Sequence, residues 1–179
     1  ISIFAQGPED EVRLGEPLEM PEEVTSQPVS PTAPIRRGGL TVNPQNRQDS
    51  LDFYQTYYLP SEGVEIEWTG NHGSCNAGTT SQAFRDAVTL RVNYFRAMAG
   101  VPADITLNDT YNSKAQQAAL MMSVNGDLDH FPPSDWECYT EEGAEGAGSS
   151  NLFLGVNGPS AITGYIQDPG ANNERVGHR

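Results

Sequence analysis

The chain of 179 residues contains three histidines, whose side chains suit metal ligation and proton transfer near neutral pH. His72 lies in "TGNHGSC", a loop segment with no nearby carboxylate ligand, and we interpret it as a surface residue. His130, in "LDHFPP", follows a predicted helix and precedes two prolines that fix the backbone, and His178 lies in "VGHR". Taken alone, each of these two is more often a structural histidine than a ligand.

Two carboxylates are the candidate partners of these histidines. Glu145 stands in "EEGAEGAGSSN", a glycine-rich stretch that we predict to be a long loop, where a lone glutamate is usually only solvated. Asp168 follows a predicted helix. The glycines form no phosphate-binding loop, because no strand leads in and no Gly-Lys-Ser/Thr follows. No serine or cysteine nucleophile is paired by motif with His130 or His178, so covalent catalysis lacks support.

The chain has two cysteines, Cys75 and Cys138. An even count in an exported protein suggests a disulfide, and two buried or free thiols are the alternative. A bridge would close a loop of roughly 60 residues and stabilise the fold by about 4 kcal/mol in the chain-entropy model. The opening residues "ISIFA" match the apolar tail of a secretory signal, although a trimmed fragment would look the same. We therefore expect an extracellular protein.

Three helices are predicted to position these groups, over "SQAFRDAVTLRVNYFRAMA", "DTYNSKAQQAALMMSVNG" and "GPSAITGYIQD". Their apolar residues recur at steps of three and four, as in amphipathic helices. Thr80 or Ser81 suits the first N-cap, Gly126 closes the second helix, and Pro159 suits the first position of the third. The predicted inward-facing residues are Phe84, Ala87, Val88, Arg91, Tyr94, Phe95, Met98, Ala115, Ala118, Ala119, Met122, Ile162, Tyr165 and Ile166.

The composition divides the chain into three parts. Residues 1–48 are acidic and hold seven of the 13 prolines, so we predict disorder there. Residues 49–80 are predicted to be an irregular lead-in, and residues 81–179 to be the folded domain. The formal net charge of −14 argues against nucleic acid and anionic membrane surfaces as partners. No apolar run approaches the roughly 20 residues of a membrane-spanning helix.

The order of motifs over residues 81–179 resembles the CAP superfamily of cysteine-rich secretory proteins, antigen 5 and pathogenesis-related proteins, also called the SCP domain. "VNYFRAMAG" carries Asn93 and Arg96 in an N-x-x-R pattern, "KAQQAALMM" is an alanine-rich helix, and a histidine follows. "GAEGAGSSNL" holds Glu145 with an insertion where the family motif is contiguous. "YIQD" places Asp168 where the family has glutamate. "DPGANNERVGHR" is similar to bacterial branches.

The resemblance implies an α+β fold, an α-β-α sandwich whose helix-rich N-terminal part is present. In the family Gly-His starts a strand and further strands follow, so the domain looks truncated at its C-terminus. The resemblance also implies that His130, Glu145, Asp168 and His178 converge in one open cleft.

Two imidazoles and two carboxylates suit a divalent ion such as zinc, with His130, His178 and Glu145 as ligands. A metal-dependent hydrolase would use Glu145 and Asp168 as its catalytic carboxylates. The side chain of Asp168 is one methylene shorter than that of the glutamate the family has there. The main expectation is a secreted, non-enzymatic module that binds a lipid, a sterol-like molecule or another small amphipathic ligand. The third interpretation is structural: the four residues form a polar cluster that braces the loops.

Overall fold

The computed structural model describes residues 2–5, 13–17, 38–170, 173 and 177–178, with the backbone alone for 2–5. Short helical turns cover Tyr54–Tyr58, Leu59–Ser61 and His72–Ser74. The main elements are strand β1 (Ser2–Ala5), strand β2 (Arg13–Leu14), helix α1 (Arg47–Phe53), helix α2 (Gln82–Met98), helix α3 (Asp109–Asn125), helix α4 (Glu141–Ala147), strand β3 (Asn151–Leu154) and helix α5 (Gly158–Gln167).

The three predicted helices correspond to α2, α3 and α5, and their ends follow from local chemistry. The Ser81 hydroxyl accepts a hydrogen bond from the Phe84 amide at 3.1 Å and caps α2. Gly126 ends α3 with a φ of +64°, a left-handed conformation that glycine adopts without strain. Pro159 lies in the first turn of α5, where its missing N–H costs no helical hydrogen bond.

Residues 141–154, predicted to be part of a long loop, instead form α4 and β3. The Thr140 hydroxyl caps α4 by accepting from the Gly143 amide at 2.9 Å. The glycines allow α4 to pack closely on α3: a Cβ on Gly146 would lie 2.6 Å from the Lys114 carbonyl oxygen. The loop prediction was therefore wrong here, because glycine lowers helix propensity but is needed for this close approach.

A three-stranded sheet in the order β1-β3-β2 lies between layers of helices. β1 is parallel to β3, with Phe4 opposite Phe153, and β2 is antiparallel to it. Leu152 and Leu154 of β3 pack with the alanines of α3, whereas Phe153 packs with α5 and α2. The strand thus contributes to the core on both faces, and the predicted α+β fold with a sheet between helices is confirmed.

Parts of the segment predicted to be disordered have defined structure. Besides the two short strands, Leu40 and Val42 pack against Phe53 and Tyr94. The Leu40 amide also donates to the Ala103 carbonyl at 3.0 Å. In the lead-in, α1 and the turns after it are helical rather than irregular. The other residues before 38 lie outside the described part of the chain, and the domain boundaries at residues 48 and 80 stay predictions.

Within the described residues, no helix is both long and apolar enough to span a membrane.

Candidate functional site

Asp168 and His178 form a fully buried pair at the end of α5. Asp168 is the C-cap residue of that helix, with a φ of +43°. One carboxylate oxygen lies 2.7 Å from His178 Nδ1, and the other accepts from the His178 amide at 3.3 Å. The Tyr165 ring stacks on the imidazole with a centroid distance of 5.8 Å, and burial raises the pKa of its hydroxyl well above the ordinary value. The structure therefore brings together two of the four predicted site residues.

The other ring nitrogen of His178, Nε2, is buried and has no hydrogen-bond partner among the described residues. Gly177 and His178 lie in a turn, where the resemblance predicted the start of a strand. Arg179 lies outside the described residues. The carboxylate of Asp168 fixes the orientation of the ring from the Nδ1 side.

His130 is placed between two backbone carbonyl groups. Its Nδ1 lies 2.9 Å from the Ala147 oxygen at the end of α4, and its Nε2 lies 2.7 Å from the Glu16 oxygen just after β2. Carbonyl oxygens only accept, and a neutral imidazole carries one N–H, so both contacts are hydrogen bonds only when the ring is charged. His130 thus joins the N-terminal segment to α4.

Glu145 lies on the outer face of α4, where its side chain is 63% exposed. Its carboxylate pairs with the Lys114 ammonium on α3. The helix that replaces the predicted loop directs this side chain toward solvent and toward α3. The structure therefore does not bring Glu145 into the site of Asp168 and His178.

The described residues contain no group of three or more histidine, cysteine, aspartate or glutamate side chains that could hold an ion. The ring nitrogens of His130 face carbonyls, and Asp168 and His178 face each other rather than a shared position. This donor arrangement does not fit zinc, so we derive no step through a metal, and the zinc site stays a prediction of the resemblance.

The N-x-x-R residues hold the link between α2 and α3. The Asn93 amide donates to the Ile105 carbonyl at 2.9 Å and accepts from the Ile105 N–H at 2.8 Å. Arg96 Nε donates to the Pro102 carbonyl at 2.6 Å. These side chains therefore satisfy backbone groups of the link and hold it against α2.

The predicted disulfide between Cys75 and Cys138 is present, with a sequence separation of 63. It attaches the turn His72–Ser74 to the segment that follows α3. Indole Nε1 of Trp68 donates to the Ala77 carbonyl at 2.7 Å, which closes the same loop from its other side. The segment around residues 66–79 is therefore held in place by covalent and hydrogen-bonded contacts.

A groove of about 290 Å³ lies between this segment and α3, and we call it the Trp68 groove. His72 Nε2 and the Ser123 hydroxyl are 3.2 Å apart at its rim, and the rings of His72 and Trp68 are 5.1 Å apart. The apolar part of its lining consists of Ile66, Trp68 and Leu120. The polar part consists of Glu67, His72 and Ser123.

Of the residues that line this groove, the sequence pointed to His72 as a surface residue and to Ala119 as part of the apolar stripe of α3, but to neither as a ligand site. His72 is exposed, as predicted, but a carboxylate, that of Glu67, lines the same groove. The alternation in "VEIEW" predicts that Ile66 and Trp68 share a face, but Glu67 between them has a φ of +46° and lines the same groove. Pairing that face with α3 depends on a contact between distant segments.

The fold and the buried pair together define an α-β-α sandwich with a histidine–aspartate pair at the end of its last described helix. The family model described as "CAP: Cysteine-rich secretory protein family" matches residues 90–179, and the chain belongs to this family. The membership predicted from the order of motifs is thus confirmed. Neither the curated proteins nor the solved structures gave a significant match to the chain.

Proposed function

We propose that this protein is an exported CAP-domain module that binds a small amphipathic ligand in the Trp68 groove. The observation that carries the proposal is the lining of the groove. An indole and aliphatic side chains form one part, and an imidazole, a hydroxyl and a carboxylate form the other. Apolar and polar residues contribute about equally to the groove. Concave sites in which polar groups orient a ligand held by apolar side chains are typical of small-molecule binding.

The volume of the groove sets the size of the ligand. At about 290 Å³ it lies at the lower end of the range for ligand pockets, roughly 300–1,000 Å³. A short alkyl chain fits this volume, whereas a large lipid would leave most of its surface in water. Each methylene buried there contributes about 0.8 kcal/mol before the cost of association.

The walls of the groove are held before any ligand arrives. The Trp68 indole is fixed by its hydrogen bond to Ala77, and the backbone groups of Asn71 and Asn76 pair with each other at 2.8 and 3.0 Å. The Cys75–Cys138 disulfide ties the same loop to the segment after α3. Walls that are already ordered lose little conformational entropy on binding, which favours affinity.

The disulfide also supports export, because such bonds persist mainly in oxidising compartments. The proposed ligand site differs from the histidine–acid cleft that the resemblance implied. The contacts of His130, Asp168 and Glu145 are with other groups of the protein and favour a bracing function for these side chains. The positions of His130 and Glu145 give no support to the metal-dependent hydrolase.

The test uses Trp68 as its own reporter in a Trp136→Phe background, which leaves one indole in the chain. Octan-1-ol supplies a chain with a minimal polar head. We expect a saturable change in Trp68 fluorescence and an affinity at least about tenfold weaker in Ser123→Phe, whose ring fills the groove. Ser134→Phe, at an exposed position outside the groove, is the matched control and should bind normally.

A linear, non-saturating response would contradict the proposal. So would unchanged affinity in a Ser123→Phe protein that keeps its melting temperature. If that variant does not fold, Ile66→Asp replaces it, because a carboxylate in the apolar wall should weaken octanol binding in the same way.

A further inference from the structure

A second hollow of about 370 Å³ adjoins the Trp68 groove along α3, and we call it the Asn112 hollow. Gln116 lines both, so the two are neighbours on one face of the helix. The other wall of the Asn112 hollow comes from the residues around the start of α2, among them Thr79, Thr80 and Arg85. A ligand bound by its apolar part at Trp68 can therefore extend into a space that has polar side chains on both walls, with Leu107 beside them.

Two amides face this space from successive turns of α3. Asn112 and Gln116 are four residues apart and share a helix face. Within the described part of the chain, neither amide side chain hydrogen-bonds to another group of the protein. Each amide has an NH2 group that donates and a carbonyl oxygen that accepts. It can therefore form two hydrogen bonds with hydroxyl groups, which also both donate and accept.

The charges around the Asn112 hollow favour a head group without charge. The Arg85 guanidinium is engaged by the Thr79 hydroxyl, the Thr80 carbonyl and the Gln82 amide oxygen. Three of its five N–H donors are therefore already engaged, and the Asp109 carboxylate in the same lining repels an anion. The remaining positive charge of Arg85 repels a cation.

We propose that the amphipathic ligand is a neutral glycoside, with its alkyl chain in the Trp68 groove and its sugar in the Asn112 hollow. This inference rests on the proposed function and names the head group that the same site selects. The path along α3 from Asn112 to Ser123 is about 16 Å at 1.5 Å per residue. That length accommodates a short chain followed by a sugar ring.

The experiment compares four ligands with the same eight-carbon chain below their micelle concentrations, on the full chain carrying Trp136→Phe. The ligands are octyl β-glucoside, octyl sulfate, octyltrimethylammonium and octan-1-ol. We expect the glucoside to bind at least about tenfold more tightly than each of the others. Asn112→Leu should remove this preference and leave octanol affinity unchanged, whereas Gln45→Leu, at an exposed turn, should preserve the preference.

The possible failures can be told apart. Equal affinity for all four ligands would overturn the glycoside inference and leave the Trp68 groove as an amphiphile site. A preference for the sulfate or the ammonium head, or a glucoside preference that survives in a folded Asn112→Leu protein, would also overturn it. If no ligand binds, octanol included, the proposed function itself fails and the inference falls with it.

Discussion

Arg91 is a buried charge at the centre of the apolar face of α2, only 2% exposed. Its Nε donates to the Ser61 hydroxyl at 2.8 Å, and a terminal nitrogen donates to the Thr163 hydroxyl at 2.6 Å. The guanidinium also lies 3.6 Å from the centre of the Tyr58 ring. Burial lowers the pKa of Arg91 from its ordinary value. One side chain thus joins α2, the turns before residue 62 and α5.

Replacement of Arg91 by lysine should cost about 2 kcal/mol of unfolding free energy. A single ammonium cannot reach both hydroxyls and cannot stack as a plane on Tyr58. The measurement is the midpoint of urea unfolding at unchanged slope.

Arg47→Lys provides the control for the Arg91 variant, because Arg47 is exposed on α1 and its replacement should change stability by less than about 0.5 kcal/mol. Equal stability of the two variants would show that the fold does not depend on the guanidinium of Arg91.

At the scale of elements, β2 is a strand of two residues that depends on contacts outside its own ladder. The Gly15 amide donates to the Leu152 carbonyl at 2.8 Å, and His130 contacts the Glu16 carbonyl. Arg13 forms an ion pair with Asp127, and the two side chains are 44% and 55% exposed. So short a strand gains little from pairing alone, and these contacts fix its position on the sheet edge.

The ion pair of β2 predicts a pH dependence. The hydrogen bond from Arg13, with a further one from the Leu128 amide, lowers the pKa of Asp127 below its ordinary value. Because the pKa of Asp127 is lower in the folded state than in the unfolded state, its ionised carboxylate stabilises the fold at any pH above the ordinary carboxyl pKa. This contribution to the unfolding free energy is lost as the pH falls through the folded-state pKa. Because both side chains are about half exposed, it is worth at most about 1 kcal/mol.

Arg13→Gln should therefore raise the pKa of Asp127 part of the way back, since the Leu128 hydrogen bond remains. An NMR titration of the Asp127 carboxyl measures this directly. The Arg47→Gln variant should leave it unchanged. An unaltered Asp127 pKa in Arg13→Gln would mean that β2 is not attached through this pair.

For the whole molecule, the disulfide joins the loop before α2 to the segment after α3 across 63 residues of sequence. Cys75→Ser/Cys138→Ser should lower the unfolding free energy by about 4 kcal/mol, because the unfolded chain regains the entropy of an open loop. Urea unfolding of oxidised wild type, reduced wild type and the double variant measures the loss.

Reduction of the wild type should reproduce most of this loss, and the double variant should not respond to reductant. A double variant with the unfolding midpoint of the oxidised wild type would contradict the prediction. Octanol affinity in the same samples would report whether the disulfide also orders the Trp68 groove.

The sequence by itself determined the features that depend on near neighbours. The three- and four-residue spacing of apolar side chains predicted α2, α3 and α5, and Ala115, Ala118, Ala119 and Met122 are buried as expected. The Ser81 cap and Gly126 set helix ends through groups only a few residues away. With two cysteines there is one possible pairing, and the order of motifs was sufficient for the family.

The tertiary structure decided the features that depend on distant segments. Glu145 was predicted from the resemblance to share a cleft with His130, Asp168 and His178, but α4 packs on α3 and directs that carboxylate toward Lys114. The Trp68 groove joins residues about 50 positions apart, as the contact between His72 and Ser123 shows. Such contacts are favourable only after the sheet and the disulfide have brought the segments together, so no local propensity predicts them.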